Sequence, residues 1–175
     1  MAFCTHCGNS LGDGVNFCGK CGTPVQTSSA SPSTTRKLTF NDGTVYEGDL
    51  VNGEPNGKGK MTFTSGDVYE GDFVDGKMQG KGKYTYVKGS VYEGDFYDDN
   101  PHGKGKYTFA GGLFVVYEGD WVDGSETGKG RTIFKNGDVY EGDYVDGFGT
   151  GKGKRTYANG RVEEGRFENY HYMGK

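Results

Sequence analysis

The sequence predicts an all-β protein: an elongated single-layer antiparallel β-ribbon of stacked hairpins, preceded by a small cysteine-bearing module. Three observations carry that prediction. The string Tyr-Glu-Gly-Asp begins at Tyr46, Tyr69, Tyr92, Tyr117 and Tyr140, and a degenerate copy reads Glu163-Glu164-Gly165-Arg166. The glutamates Glu47, Glu70, Glu93, Glu118, Glu141 and Glu164 lie 23, 23, 25, 23 and 23 residues apart. A fixed period in this range marks an array whose units bury their apolar faces only by stacking on their neighbours. Within each unit, residue character alternates with a period of two, the period of a strand, and Gly-bearing turns punctuate the alternation.

Composition narrows the function classes. Of 175 residues, 34 are Gly and 32% are hydrophobic, which is poor material for a globular core. The 13 Tyr, 11 Phe and single Trp nevertheless recur on the period, which excludes a disordered chain. Net charge is −4 and pI is near 5.4, so a basic footprint for nucleic acid or anionic lipid is absent at whole-chain level. There is no apolar run long enough to span a bilayer, no signal-peptide pattern and no lipidation motif. The expectation is a soluble cytoplasmic protein.

The cysteines come first along the chain. Cys4-Thr-His-Cys7 and Cys18-Gly-Lys-Cys21 are each followed by glycine, Gly8 and Gly22. Two such knuckles can aim four thiolates at one tetrahedral ion, and zinc accepts thiolate sulfur at about 2.3 Å without imposing a geometry of its own. A structural Zn2+ held by Cys4, Cys7, Cys18 and Cys21 is preferred to two disulfides, which need an oxidising compartment, and to redox chemistry, which needs a surrounding βαβ pattern. His6 is read as a surface residue because four cysteines already close the site. The halves Phe3-to-Gly8 and Phe17-to-Gly22 resemble the short zinc-ribbon modules at the N-termini of many bacterial proteins. Residues 1–25 cannot bury a useful core, so the metal is expected to supply their folding energy. Residues 26–36 follow as a Ser/Thr-rich stretch without aromatic or branched aliphatic side chains and without charge before Arg36, a flexible linker.

Residues 37–175 form the array. In Val68-Tyr69-Glu70-Gly71-Asp72-Phe73-Val74, alternation sets Tyr69, Gly71 and Phe73 on one face and Glu70 and Asp72 on the other. In Gly80-Lys81-Gly82-Lys83-Tyr84-Thr85-Tyr86, the glycines and tyrosines share one face and the lysines the other. Each copy thus supplies two strands. Lys37-Leu38-Thr39-Phe40 matches the second strand of later copies and predicts an extra strand at the start. Twelve strands, six hairpins, are expected, joined alternately by a tight Gly turn such as Asn41-Asp42-Gly43 and a longer one such as Asn52-Gly53-Glu54-Pro55-Asn56. The two-residue excess at Leu113-Phe114-Val115-Val116 predicts an apolar hairpin tip, read as a local bulge in preference to a contact site.

The pattern Gly-x-x-Tyr-x-Gly-x-Phe/Trp-x-x-Gly-x-x-x-Gly-x-Gly resembles that of MORN repeats across about residues 37–169. The resemblance implies a single-layer β-ribbon used for scaffolding, dimerisation and partner binding, and lipid binding has been attributed to the family. Two copies depart from the pattern. Asp99 stands where others carry Gly53, Gly76, Gly124 and Gly147. The last copy has Glu163 for Tyr and Arg166 for Asp, and reads as a polar C-terminal cap ending after one strand.

Faces give the functional expectations. Aromatic columns are expected to form the core of the layer, with exposed edges left as a groove for a partner protein; Tyr92, Phe96, Trp121 and Tyr144 are the expected contact centre. On the other face, the Glu/Asp pairs of each first strand oppose the Lys/Arg pairs of the following strand. Such cross-strand pairs contribute about 0.2–1 kcal/mol each and fix register. Lysines already opposed by carboxylates make a membrane surface a disfavoured partner; only Lys152, Lys154, Arg155, Arg161 and Arg166 show a local basic excess. Nucleic acid is disfavoured as well, since residues 1–25 carry one basic side chain, Lys20. No P-loop and no Ser/His/Asp or Cys/His arrangement is present, so no catalytic residue is assigned. The expected function is that of a non-enzymatic scaffold docking proteins through the ribbon and the array, with exposed edge strands predicting self-association into a homo-oligomer.

Overall fold

The structure, a computed structural model, describes residues 2–3, 10–11 and 36–175. The chain divides into two units, residues 1–34 and 35–175. In the first unit, β1 (Ala2–Phe3) pairs antiparallel with β2 (Ser10–Leu11), Phe3 opposite Ser10. The four cysteines and residues 26–35 of the linker lie outside the described residues.

The second unit is one open sheet of thirteen strands in strict sequence order. Its strands are β3 (Arg36–Thr39), β4 (Val45–Val51), β5 (Glu54–Thr62), β6 (Val68–Val74), β7 (Lys77–Thr85), β8 (Val91–Tyr97) and β9 (Asn100–Thr108). They continue as β10 (Phe114–Val122), β11 (Ser125–Phe134), β12 (Val139–Val145), β13 (Phe148–Thr156), β14 (Val162–Glu168) and β15 (His171–Gly174). All pairs are antiparallel. The extra starting strand is β3. The expected count of twelve is corrected to thirteen: the last copy does not end after one strand, because Glu168 pairs with His171 and Phe167 with Tyr172.

Both turn types are short. The first type closes with Gly43 N donating to Phe40 O and Phe40 N to Thr44 O, and Phe63, Tyr86, Phe134 and Tyr157 repeat the pattern. The second type, expected to be longer, is a two-residue hairpin: Val51 faces Glu54 across Asn52 (φ 53°) and Gly53 (φ 88°). Positive φ at both central residues matches the strand twist, and Asn or Asp followed by Gly tolerates it best. At Asp98-Asp99 the second glycine is replaced. Asp99 holds φ 68° and compensates by accepting from Met78 N at 2.8 Å through its Oδ1. These turns also stitch neighbouring copies together, since the N–H of Gly76, Asp99, Gly124, Gly147 and Tyr170 donates to the carbonyl of Pro55, Met78, Pro101, Glu126 and Gly149.

The core is the aromatic face. Tyr46, Tyr69, Tyr92 and Tyr140 are fully buried and Tyr117 is 1% exposed. Each ring lies flat over the glycine of the facing strand; a Cβ on Gly82 would meet Tyr69 Cε2 at 2.3 Å. Each hydroxyl donates to a carbonyl three residues on, as Tyr46 to Asp49 O at 2.7 Å and Tyr69 to Asp72 O at 3.0 Å. Edge-to-face contacts then run unbroken from copy to copy: Tyr46 to Phe73 at 5.0 Å, Tyr69 to Phe96 at 4.9 Å, Tyr92 to Trp121 at 5.0 Å, Tyr117 to Tyr144 at 4.8 Å and Tyr140 to Phe167 at 5.1 Å. Such pairs contribute about 0.5–1.5 kcal/mol beyond area burial, which lets one layer hold together without a second.

Candidate functional site

The aromatic face has two depths. Of the four residues expected as a contact centre, Tyr92 is fully buried, Phe96 and Trp121 are 4% and 5% exposed, and Tyr144 is 2% exposed. They fill the layer: Trp121 Nε1 donates to Gly105 O at 3.2 Å and Tyr144 Oη shares a hydrogen with Thr132 Oγ1 at 2.7 Å. The rings with open faces belong to the second strand of each copy. Phe63, Tyr84, Tyr86, Tyr107, Phe109 and Phe134 are half-buried and touch in series, Tyr84 to Tyr86 and Tyr107 to Phe109 both at 4.6 Å. No second layer covers them among the described residues. Phe114, from the two-residue insertion, joins this row against Phe109, Phe134 and Tyr170. The insertion is a bulge, with a register shift between Phe114 and Val116.

The charged face is a ladder, but its pairing direction differs from the expected one. Ammonium groups reach forward to the first strand of the next copy: Lys60 to Glu70 at 3.1 Å, Lys58 to Asp72 at 2.5 Å, Lys83 to Glu93 at 3.2 Å and Lys81 to Asp95 at 2.5 Å. The carboxylates therefore neutralise the preceding strand. The following strand takes something else from the aspartates. Asp72 Oδ2 accepts from Lys81 N at 3.1 Å, closing the irregularity between Gly71 and Phe73, and Asp49, Asp95, Asp120 and Asp143 do the same. One oxygen ties copies together and the other shapes the hairpin. The Lys104 ammonium and the Lys129 amide hold Asp120 below the usual carboxylate range, and the Lys129 ammonium and the Lys152 amide do so for Asp143.

At the C-terminal end the ladder changes. Arg166 stands opposite Lys152 where an aspartate stands in the earlier copies. Lys152, Lys154, Arg166 and Lys175 border a trough of about 810 Å3 with Glu141 and Glu164. The basic cluster read from sequence is not assembled, however. Arg155 projects onto the aromatic face, pairs with Asp138 at 2.8 Å and lies over Phe134 and Tyr157; Arg161 covers Tyr157 and pairs with Glu163 at 3.5 Å.

Sequence reasoning missed two residues. Tyr170 occupies the turn position of Gly53 with φ 65°, and its ring lies over Gly149 and packs on Phe134 and Tyr140, both at 5.3 Å. Glu126 faces Trp121 across the hairpin, at the place of Pro55, Met78, Pro101 and Gly149. Aligning the copies by register rather than by the Tyr-Glu-Gly-Asp string exposes both. Asp, Glu, His and Cys form no group of three or more suited to a metal ion among the described residues. The four cysteines lie outside them; as a donor set, two Cys-x-x-Cys-Gly knuckles fit zinc.

Two family models match the chain. The MORN-repeat family model matches residues 46–68, 69–91, 92–114, 117–139 and 140–160, and the zinc-ribbon domain model matches residues 3–25. Neither family is enzymatic. No curated protein matches the chain. Among solved structures, the TCP domain of Drosophila melanogaster SAS-4 (dCPAP), in complex with a proline-rich motif of Ana2, is 16% identical with a TM-score of 0.38, over 83% of this chain and 97% of that one. The G-box domain of the microcephaly protein CPAP is 19% identical with a TM-score of 0.19, over 76% and 99%. A streptogramin B lyase is 10% identical with a TM-score of 0.18, over 75% and 68%.

Proposed function

The chain belongs to the MORN-repeat family, and from that premise we propose that it is a non-enzymatic, cytoplasmic scaffold that docks partner proteins through its array and its zinc ribbon. The observation that carries this reading is the row of half-buried aromatic rings, Tyr84, Tyr86, Tyr107, Phe109 and Phe134, left without a covering layer among the described residues. An aromatic surface of this kind gives contact area at low side-chain entropy cost and suits a protein partner. The contact centre moves accordingly, from the buried Trp121 and its neighbours to this outer row. The test is partner capture from the native cell with the wild-type chain and with a Tyr84→Ser, Tyr107→Ser double variant whose circular dichroism matches wild type. Loss of specific partners in the variant is expected; an unchanged partner set overturns the reading.

Cys4, Cys7, Cys18 and Cys21 would hold one structural zinc ion, which when bound supplies the folding energy of residues 1–25. Freshly purified reduced protein should carry one zinc per chain, and chelation should alter signals from residues 1–25 while leaving the sheet intact. A metal content near zero overturns the assignment.

A second reading, binding to an anionic surface, draws on Lys152 facing Arg166. Salt-sensitive sedimentation with liposomes containing phosphatidylserine supports it; no sedimentation at low salt eliminates it.

A further inference from the structure

Glu126 is a carboxylate on the wrong face. In the equivalent positions Pro55 is fully buried and Met78 is 8% exposed, so the site belongs to the apolar layer. Glu126 is half-buried there, opposite Trp121, and a Cβ on Gly147 would meet its Oε2 at 3.2 Å. Its charge raises the phenols of both Tyr117 and Tyr170, as burial does first.

The groups around it are already committed. Tyr117 donates its hydroxyl to Asp120 O at 2.9 Å, Tyr170 to Gly147 O at 3.3 Å, and Tyr144 shares one hydrogen with Thr132. Arg155, on the same face, is spent on Asp138 and on Tyr170 O at 3.2 Å. The flanking turns add only carboxylates, Asp123 and Asp146, and Asp123 is the one that approaches His102, at 3.4 Å. Among the described residues no cation and no donor is paired with Glu126. An uncompensated carboxylate in an apolar layer costs stability, and it persists where it is used.

The neighbouring copy shows what such an arrangement accepts. Arg155 is held by a carboxylate, Asp138, and by two aromatic faces, Phe134 at 4.9 Å and Tyr157 at 4.8 Å. Glu126 stands over the buried rings of Tyr117 and Trp121 and shares Gly147 with the half-buried ring of Tyr170, so it offers a carboxylate beside one open aromatic ring with the guanidinium missing. A guanidinium sheds water more readily than an ammonium, stacks on rings and meets a carboxylate with two parallel bonds. We infer that Glu126 and the Tyr170 ring beside it form a recognition site for an arginine side chain presented by a partner protein. The inference rests on the aromatic face being a docking surface.

Titration of the zinc-loaded full chain with N-acetyl-arginine amide, N-acetyl-lysine amide and the uncharged N-acetyl-citrulline amide tests it, read by the side-chain carboxyl 13C shift of Glu126 and the amides of Thr127 and Gly147. Saturable shifts are expected with the arginine probe, several-fold weaker with lysine and absent with citrulline, and at least tenfold weaker in Glu126→Gln. Burial pushes the Glu126 carboxyl up to about 7, so affinity should fall as pH drops through that value. Equal response to arginine and citrulline, equal affinity in Glu126→Gln, or no shift in wild type overturns the inference. A second variant separates recognition from structure. Glu126→Met restores the residue of the equivalent Met78 and should raise the melting temperature while abolishing the arginine response; a lowered melting temperature assigns Glu126 a structural role and also overturns it. If partner capture depends on Tyr84 and Tyr107 while the arginine titration fails, only this inference falls.

Discussion

The two halves of the array share a floor and differ in what stands on it. In the first half, through β9, the middle column of the aromatic face reads Leu38, Met61, Tyr84 and Tyr107, and the column beside the two-residue turns reads Pro55, Met78 and Pro101. In the second half the same positions hold Thr132 and Arg155, and Glu126, Gly149 and Tyr172. Under both halves the Tyr-on-Gly tier and its chain of edge-to-face contacts continue without change. The repeat motif therefore specifies the fold, and the residues the motif leaves open carry the polar groups. A repeat protein separates these duties because each unit needs only the motif to stack on its neighbour.

The largest expected effect tests whether the floor is common. Gly82→Ala sets a Cβ 2.3 Å from the Tyr69 ring, and Gly153→Ala sets one 2.6 Å from Tyr140 Oη. Neither ring can move, because its hydroxyl is anchored to Asp72 O or Asp143 O. Each substitution should destabilise the sheet by about 3 kcal/mol or more, by the overpacking mechanism. Gly76→Ala meets no atom within 4 Å but must hold φ 80°, and should cost only about 1–2 kcal/mol. Urea denaturation of the three variants measures this. A mild Gly153→Ala would show that the second half does not depend on the floor as the first does.

The next effect should differ between the halves. Arg155→Met leaves the Asp138 carboxylate, whose side chain is 5% exposed, without its cation. Removal of one partner from a buried pair typically costs about 3–5 kcal/mol. Tyr84→Phe, at the matching position of the first half, removes a 3.3 Å hydrogen bond to Asp67 and should cost about 1 kcal/mol. Comparable losses in the two variants would break the comparison.

The distribution of polar groups explains what was legible in the sequence. The strands, the extra strand β3 and the assignment of Tyr and Gly to one face follow from alternation within a copy, because neighbours along a strand alternate by geometry. Pairing between copies is a register property and is not local. The lysines accordingly reach forward to the next copy, which a within-hairpin reading reverses. Strand β15 lacks the motif, and its turn hides a tyrosine where Gly belongs. Composition groups Arg155 with the basic cluster because it does not record which face a residue occupies. The chemistry of Trp121 suits a contact residue, yet the hydrogen bond from its indole to Gly105 O belongs to a filled core.

Acid stability probes the ladder of the other face. Asp120 and Asp143 have pKa values lowered in the folded sheet by Lys104 and Lys129. A depressed folded pKa gives stability that is present above the ordinary aspartate value, about 3.9, and is lost as pH falls through the folded value. Urea midpoints should therefore rise as pH falls from neutral to about 5, because the raised Glu126 carboxyl takes up its proton first in the folded sheet, and decline below about 4 as the aspartates protonate. In Asp120→Asn the decline should be shallower. An identical pH profile in the variant would remove the ladder from the account of stability.

The smallest effect carries a change of sign. Lys104→Gln removes the ion pair to Asp120 across two copies, an exposed pair worth at most about 1 kcal/mol. Lys152→Gln acts where the acid has become Arg166. Two like charges opposite each other on adjacent strands repel, so removal of one should leave stability unchanged or raise it by a few tenths of about 1 kcal/mol. Salt should shrink both differences, since both sites are solvent-exposed. A loss in Lys152→Gln equal to that in Lys104→Gln would mean that Lys152 has an acidic partner after all, and would return the C-terminal copy to the pattern of the others.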